Sequence, residues 1–210
     1  MKRQQHEEEV RGRIIFAARR LFIARGFANT TIRQIISSAK ITTGSLYHFF
    51  KNKEEILKFI VREVFQSSAD RADHLAGKTE DVVFRFALEI GLQIKVIARN
   101  RPVAELYRVA YHSHSITKLL MENAAERNQE LFGQFHPEWN CEDFYFRSLA
   151  VKGLLQDTVG ARLEDAEFQI LAVSPQLLAH CLGILGVPPE RIQRGLNRAL
   201  RKLDLPVRPG

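Results

Sequence analysis

Apolar residues recur at spacings of three and four along nearly the whole chain, while strict polar–apolar alternation and Asn-Gly hairpin signals are absent. The pattern predicts an all-α protein. A first helix is expected from Val10 to Arg25, with Ile14, Ile15, Ala18, Leu21 and Phe22 on one face and Gly26 placed to cap its end. A second starts after Thr30 or Thr31, turns Ile32, Ile35, Ile36 and Ala39 inward and stops near Lys40. Thr42 or Thr43 caps a third, very short helix whose inward residues are Leu46, Phe49 and Phe50. Glu54 to His74 forms a fourth, with Ile56, Leu57, Ile60, Val61, Val64 and Phe65 inward and a break at Gly77. Six more helices are predicted over Glu80 to Arg99, Pro102 to Ser113, Ile116 to Phe135, Glu142 to Arg162, Ala166 to Leu185 and Pro189 to Leu203. Pro102 and Pro189 suit first-turn positions, whereas Pro175 is expected to kink or split its segment.

The second and third helices, joined by a tight turn, read as a helix-turn-helix. The outer face of the third is left to Gly44, Ser45, Tyr47 and His48. Hydroxyls can bond bases or phosphates, glycine lets the backbone approach closely, and the two rings reach phosphates or thymine methyl groups. Taken alone, these few residues fit an ordinary amphipathic helix with exposed aromatics equally well. Two features shift the balance. Asn52 can cap the next helix, which gathers a positive helix N-terminus, Lys51 and Lys53 at one corner. The net charge of +7 also lies wholly in residues 1–60, where twelve Lys or Arg face five Asp or Glu, and the nineteen of each sign beyond them cancel. A basic end on a neutral body suits a polyanion.

The runs Ala17-Ala18-Arg19-Arg20-Leu21-Phe22, Gly26-Phe27, Thr30-Thr31-Ile32 and Gly44-Ser45-Leu46-Tyr47-His48-Phe49-Phe50-Lys51-Asn52-Lys53-Glu54, within Arg13 to Phe59, resemble the TetR family of transcriptional regulators. The resemblance implies a helix-turn-helix DNA-binding domain over residues 1–53, a connecting helix over 54–75, and an all-α ligand-binding and dimerisation domain over 76–210. It implies a homodimer on a near-palindromic operator in double-stranded DNA, usually a repressor released by a small-molecule effector. By position, Thr31 and Arg33 resemble phosphate contacts, Thr42, Thr43, Gly44, Ser45, Tyr47 and His48 the recognition surface, and Lys53 the family's phosphate-binding lysine. Lys40 departs from the pattern, which usually has glycine there in a left-handed turn. For a non-glycine residue that conformation costs about 1–2 kcal/mol. Lys40 is expected to tolerate it through packing of Ile36, Ile41 and Leu46 and to add a phosphate contact, as Lys51 does at the next corner.

The remaining chain is less explicit. Leu88, Leu92, Tyr107, Tyr111 and Met121 could line a ligand pocket or fill a core, and Arg108, His112 and Arg147 could supply polar contacts or lie at the surface. Because the family usually pairs two C-terminal helices with their mates, Leu149, Leu154, Leu155, Leu178, Leu182 and Leu185 are candidates for a dimer face, with intrachain core equally open for each. His112 and His114 point to different faces of a helix, so no metal is expected. No cofactor is implied. Cys141 and Cys181 are expected to be core residues, in neither a disulfide nor a zinc site. Residues 1–9 carry no apolar signal core, and Phe86 to Ala98 is interrupted by Glu89, Gln93 and Lys95, so a cytoplasmic protein without membrane spans is expected. Nucleophile-elbow, zinc-helix and paired-cysteine motifs are missing, which disfavours an enzyme. A non-specific basic nucleic-acid-binding protein and a protein-interaction module stay open as alternatives.

Overall fold

The structure, a computed structural model, describes residues 2–78 and 81–206, with side chains from residue 4 onward. Among these residues every regular element is helical: α1 (Lys2–Arg25), α2 (Ile32–Ala39), α3 (Thr43–Phe49), α4 (Lys53–Ala76), α5 (Val82–Arg99), α6 (Arg101–His112), α7 (His114–Phe132), a 3₁₀ turn at Gly133–Phe135, α8 (Cys141–Glu164), α9 (Ile170–Ile184) and α10 (Pro189–Lys202). No described helix is long and apolar enough to cross a membrane. The chain divides into two compact units, residues 1–64 and 65–210, and α4 belongs to both.

In the first unit α1 packs on α2 and α3. Its core is the predicted apolar stripe, with Ile14, Ala18, Phe22, Ile35, Leu46, Ile56 and Leu57 fully buried. Helix α1 starts eight residues before Val10, because its polar opening turns continue the helix without needing a buried face. Arg19 bonds Glu63 at 2.8 Å, tying α1 to α4 within this unit.

In the second unit α5 packs on α6, α7, α9 and α10, while α8 packs on α6, α7 and α9. Helix α5 is described from Val82, capped by Asp81, which accepts from the Phe84 N–H at 3.0 Å. The predicted start at Glu80 lies outside the described residues. Helix α9 begins at Ile170 rather than Ala166, because Asp165 holds residues 165–168 in a turn through bonds from the N–H groups of Glu167 and Phe168. Pro175 does not split α9. It leaves the Leu171 carbonyl without its usual donor, and the Ser174 hydroxyl donates there instead at 2.7 Å. The two cysteines differ: Cys181 is buried, but Cys141 is exposed, contrary to expectation, because it is the first residue of α8, just after its cap Asn140.

An ion-pair cluster holds the far end of α4 inside the second unit. Asp73 Oδ1 accepts from Arg85 Nε of α5 at 2.9 Å and from Arg127 Nη2 of α7 at 2.8 Å. Arg127 Nε also lies 3.5 Å from Glu89 Oε2, on a side chain only 12% exposed. Burial pushes the Glu89 carboxyl up to about 7 against the opposing pull of Arg127. Burial also works against ionised Asp73, yet the hydrogen bonds from Arg85 and Arg127 hold it below its ordinary value.

Candidate nucleic-acid interface

The helix-turn-helix is built from reciprocal caps. Thr31 caps α2: its hydroxyl accepts from the Gln34 N–H at 3.3 Å, and the Gln34 side chain accepts from the Thr31 N–H at 2.9 Å. At the other end Lys40 adopts φ 52 and ψ 53, the left-handed turn that the resemblance implied. Its N–H reaches the carbonyls of Ile36 and Ser37, and Ile41 N–H reaches Ile36 O at 3.3 Å, which closes the helix. The Lys40 side chain is exposed, as is that of Arg33 at the start of α2.

Thr42 caps α3, accepting from the Ser45 N–H at 3.1 Å, and its hydroxyl pairs with the Ser45 hydroxyl at 2.8 Å. These two predicted recognition hydroxyls are therefore partly committed to shaping the turn. Thr43, Gly44, Tyr47 and His48 form the outward face of α3, with Tyr47 52% exposed. Opposite them, Leu46 and Phe50 are buried and Phe49 is half-buried, so the orientation of that face is set by core packing. His48 rests edge-on against Phe49, with ring centres 4.8 Å apart.

The corner after α3 has the predicted cap, with Asn52 Oδ1 accepting from the Glu55 N–H at 2.9 Å and Glu55 accepting from the Lys51 N–H at 2.8 Å. Lys51 is exposed. Lys53 is placed differently from a free phosphate contact. Its ammonium donates to Phe27 O at 2.6 Å and Ala28 O at 3.3 Å and lies 4.3 Å from the Phe27 ring centre. Desolvation lowers its basicity. The side chain fastens α4 to the loop after α1. Gln34 and Phe27 are the partners that sequence reasoning missed, although Gln34 three residues after Thr31 is a readable capping-box signal.

The candidate pocket residues do not converge. Leu88, Tyr107 and Met121 are core, with Tyr107 between Phe65 and Tyr111. Arg108 and His112 face solvent, the His112 ring bonding Arg108 O at 2.8 Å, and Leu92 is half-buried. The Arg147 guanidinium lies 3.4 Å from the Trp139 ring centre and donates to Ile184 O at 2.7 Å, which makes it a brace for the end of α9. Only Tyr111 borders an internal void, together with residues of α5, α8 and α9 that include Gln93 and Thr158. Of the dimer candidates, Leu178, Leu182 and Leu185 are corrected: each is fully buried within this chain and has no surface left for a mate. Leu149, Leu154 and Leu155 are half-buried, and the most exposed large apolar residue of α8 is Phe146, at 70%.

The family model described as "Bacterial regulatory proteins, tetR family" matches residues 14–60, from α1 into α4. The transcriptional regulator TtgR of Pseudomonas putida is 30% identical over 132 residues, covering 59% of this chain and 60% of the relative. UidR of Escherichia coli is 23% identical over 180 residues, or 80% of this chain and 87% of the relative. The chain thus spans about 60% of the length of TtgR in their match. The crystal structure of RolR with resorcinol superposes with a TM-score of 0.69 at 22% identity, covering 93% of this chain and 96% of that one, which extends the likeness of fold through the second unit. The chain is thus similar to the tetR family of bacterial regulatory proteins, through the family model over residues 14–60 and through its fold along most of its length.

Proposed function

We propose that this chain is a DNA-binding transcriptional regulator that reads a near-palindromic operator as a homodimer and is released by a small molecule, acting as a repressor in the cytoplasm. The observation that carries this reading is the outward face of α3, where Thr43, Gly44, Tyr47 and His48 stand clear of a core fixed by Leu46 and Phe50. Such a face can enter a major groove while Thr31, Arg33, Lys40 and Lys51 take phosphates on either side. Relatives of this family are transcriptional regulators rather than enzymes, and RolR is described with resorcinol bound, which supports a sensor role for the second unit. Phe146, Ala150 and Leu154, spaced by four along α8, supply the surface for a mate. We further propose that ligand entry repositions α4 and changes the separation of the two recognition helices, so that they no longer fit successive grooves.

Fluorescence anisotropy with the DNA upstream of the gene and with an unrelated duplex, at two salt concentrations, tests this reading. A preference for the upstream DNA that survives higher salt and disappears in Tyr47→Ala is expected. Equal, salt-sensitive binding to both duplexes calls for selection from a random DNA pool. A pool that enriches no sequence would refute the reading in favour of non-specific binding.

A further inference from the structure

The void beside Tyr111 lies between α5, α6, α8 and α9 and has room for about one water. Helices α5 and α8 both border it, and each packs on α6 and α9. Seven of its lining side chains are aliphatic, and none carries a charge. The exceptions to the apolar wall are Gln93, Tyr111 and Thr158. Gln93 is only 4% exposed, and its Nε2 has no hydrogen-bond partner among the described residues. A buried amide left in this state is costly, so its N–H groups favour any acceptor that enters. Thr158 donates its proton to Leu154 O at 2.6 Å and offers the void only lone pairs. Tyr111 is buried and held neutral, because burial pushes its phenol far above the ordinary range.

We propose that this void is the seat of a binding site for a small, uncharged, planar molecule with an acceptor oxygen, such as an aryl ketone, whose oxygen takes the unpaired Gln93 N–H. This rests on reading the second unit as the sensor half. A charged ligand is disfavoured, since desolvating an ion against a wall without counter-charge costs more than one hydrogen bond returns. A flat ring is favoured because it requires the least parting of α5 from α8, and the aliphatic wall gives it dispersion contacts on both faces. The oxygen then gives the Gln93 amide the acceptor that none of the lining residues provides. Entry of such a ring widens the space between two helices that are braced by the same neighbours, which joins binding to movement in this unit.

The test uses three probes of similar size on the full-length protein, by calorimetry and ligand-observed NMR. Acetophenone carries the acceptor, α-methylstyrene replaces its oxygen with a CH₂ of the same shape, and benzoate carries a charge. Saturable binding of acetophenone, tighter than α-methylstyrene by roughly 3- to 10-fold, is expected, with benzoate weakest. Gln93→Met and Gln93→Leu should erase that preference while leaving the hydrocarbon's affinity in place. Urea unfolding followed by the fluorescence of Trp139 reports whether each variant folds. Equal affinity for ketone and hydrocarbon, preferred binding of benzoate, a preference that survives in both folded variants, or no saturable binding at all would overturn the site. Operator affinity measured with and without acetophenone separates the two readings. Gln93-dependent binding that leaves operator affinity unchanged upholds the site and removes only its regulatory role.

Discussion

Replacing Glu89 with Gln should make the second unit more stable at alkaline pH than the parent protein and leave it nearly unchanged at acid pH. A carboxyl held at about 7 instead of its ordinary 4.5 is harder to ionise in the fold by about 3 kcal/mol. Little solvent reaches the group to weaken that figure, and the attraction of Arg127 at 3.5 Å is already contained in it. A raised carboxyl contributes stability that is fully present below about 4.5 and is lost as pH rises through about 7. The Gln variant mimics the neutral form at every pH and escapes this loss. Its advantage should grow from near zero at pH 4.5 to about 3 kcal/mol at pH 8. Asp73, which is held below its ordinary value and so loses its contribution only as pH falls, titrates in both proteins and cancels in the difference. Trp139 is the only tryptophan and lies in the second unit, so urea unfolding followed by its fluorescence reads the relevant transition. With a slope of about 2 kcal/mol per molar urea, the midpoints should separate by roughly 1.5 M at pH 8. Parallel stability curves from pH 4.5 to 8 would show that Glu89 titrates like an exposed carboxyl and would refute the reasoning.

Three further outcomes follow from single residues. Lys40→Gly relieves the left-handed strain and should stabilise the first unit by about 1 kcal/mol, seen as a higher urea midpoint, while lowering the slope of log affinity against log salt by about two, one for each subunit of the dimer; an unchanged slope would remove the phosphate contact. Phe146→Glu should convert the protein to monomers in light scattering and weaken operator binding at least tenfold, and a dimer that persists would move the mate surface elsewhere. Ellman's reagent should titrate one thiol in the native protein, at Cys141, and a second only in denaturant, because Cys181 is buried; two fast thiols at the outset would contradict the packing of α9.

The helix-turn-helix is legible in the sequence because its signals are local. Thr31, Thr42 and Asn52 announce caps within three residues of their partners, and the spacing of Leu46 and Phe50 fixes which side of α3 is left outside. The grip of Lys53 on Phe27 is the exception there, since it joins α4 to the loop after α1 across a separation of 26 residues. The second unit is legible only as a set of helices. Its decisive contacts, such as Asp73 with Arg127 and Arg147 with Ile184, join residues far apart in the chain, and no periodicity encodes them. Leu178, Leu182 and Leu185 show the same limit from the other side, since an apolar stripe reads alike whether it is covered by its own chain or by a mate. Gln93 leaves a trace, as a polar residue between Ile90 and Ile97 on the apolar side of its helix. What the sequence does not show is that its amide finds no partner.

Helix α3 is seven residues long. At 1.5 Å per residue it measures about 10 Å, which spans only about three base pairs of duplex. Two copies can thus inspect roughly six positions, and a fully specified six-base word turns up by chance about once in 4,000 base pairs of random sequence. A bacterial chromosome of millions of base pairs would hold on the order of a thousand such words. The brevity of this helix is therefore a limit on information: edge contacts from α3 alone cannot single out one promoter. The missing discrimination has to come from the shape and bending energy of the DNA between the half-sites, read through the phosphates that Thr31, Arg33, Lys40 and Lys51 would grip.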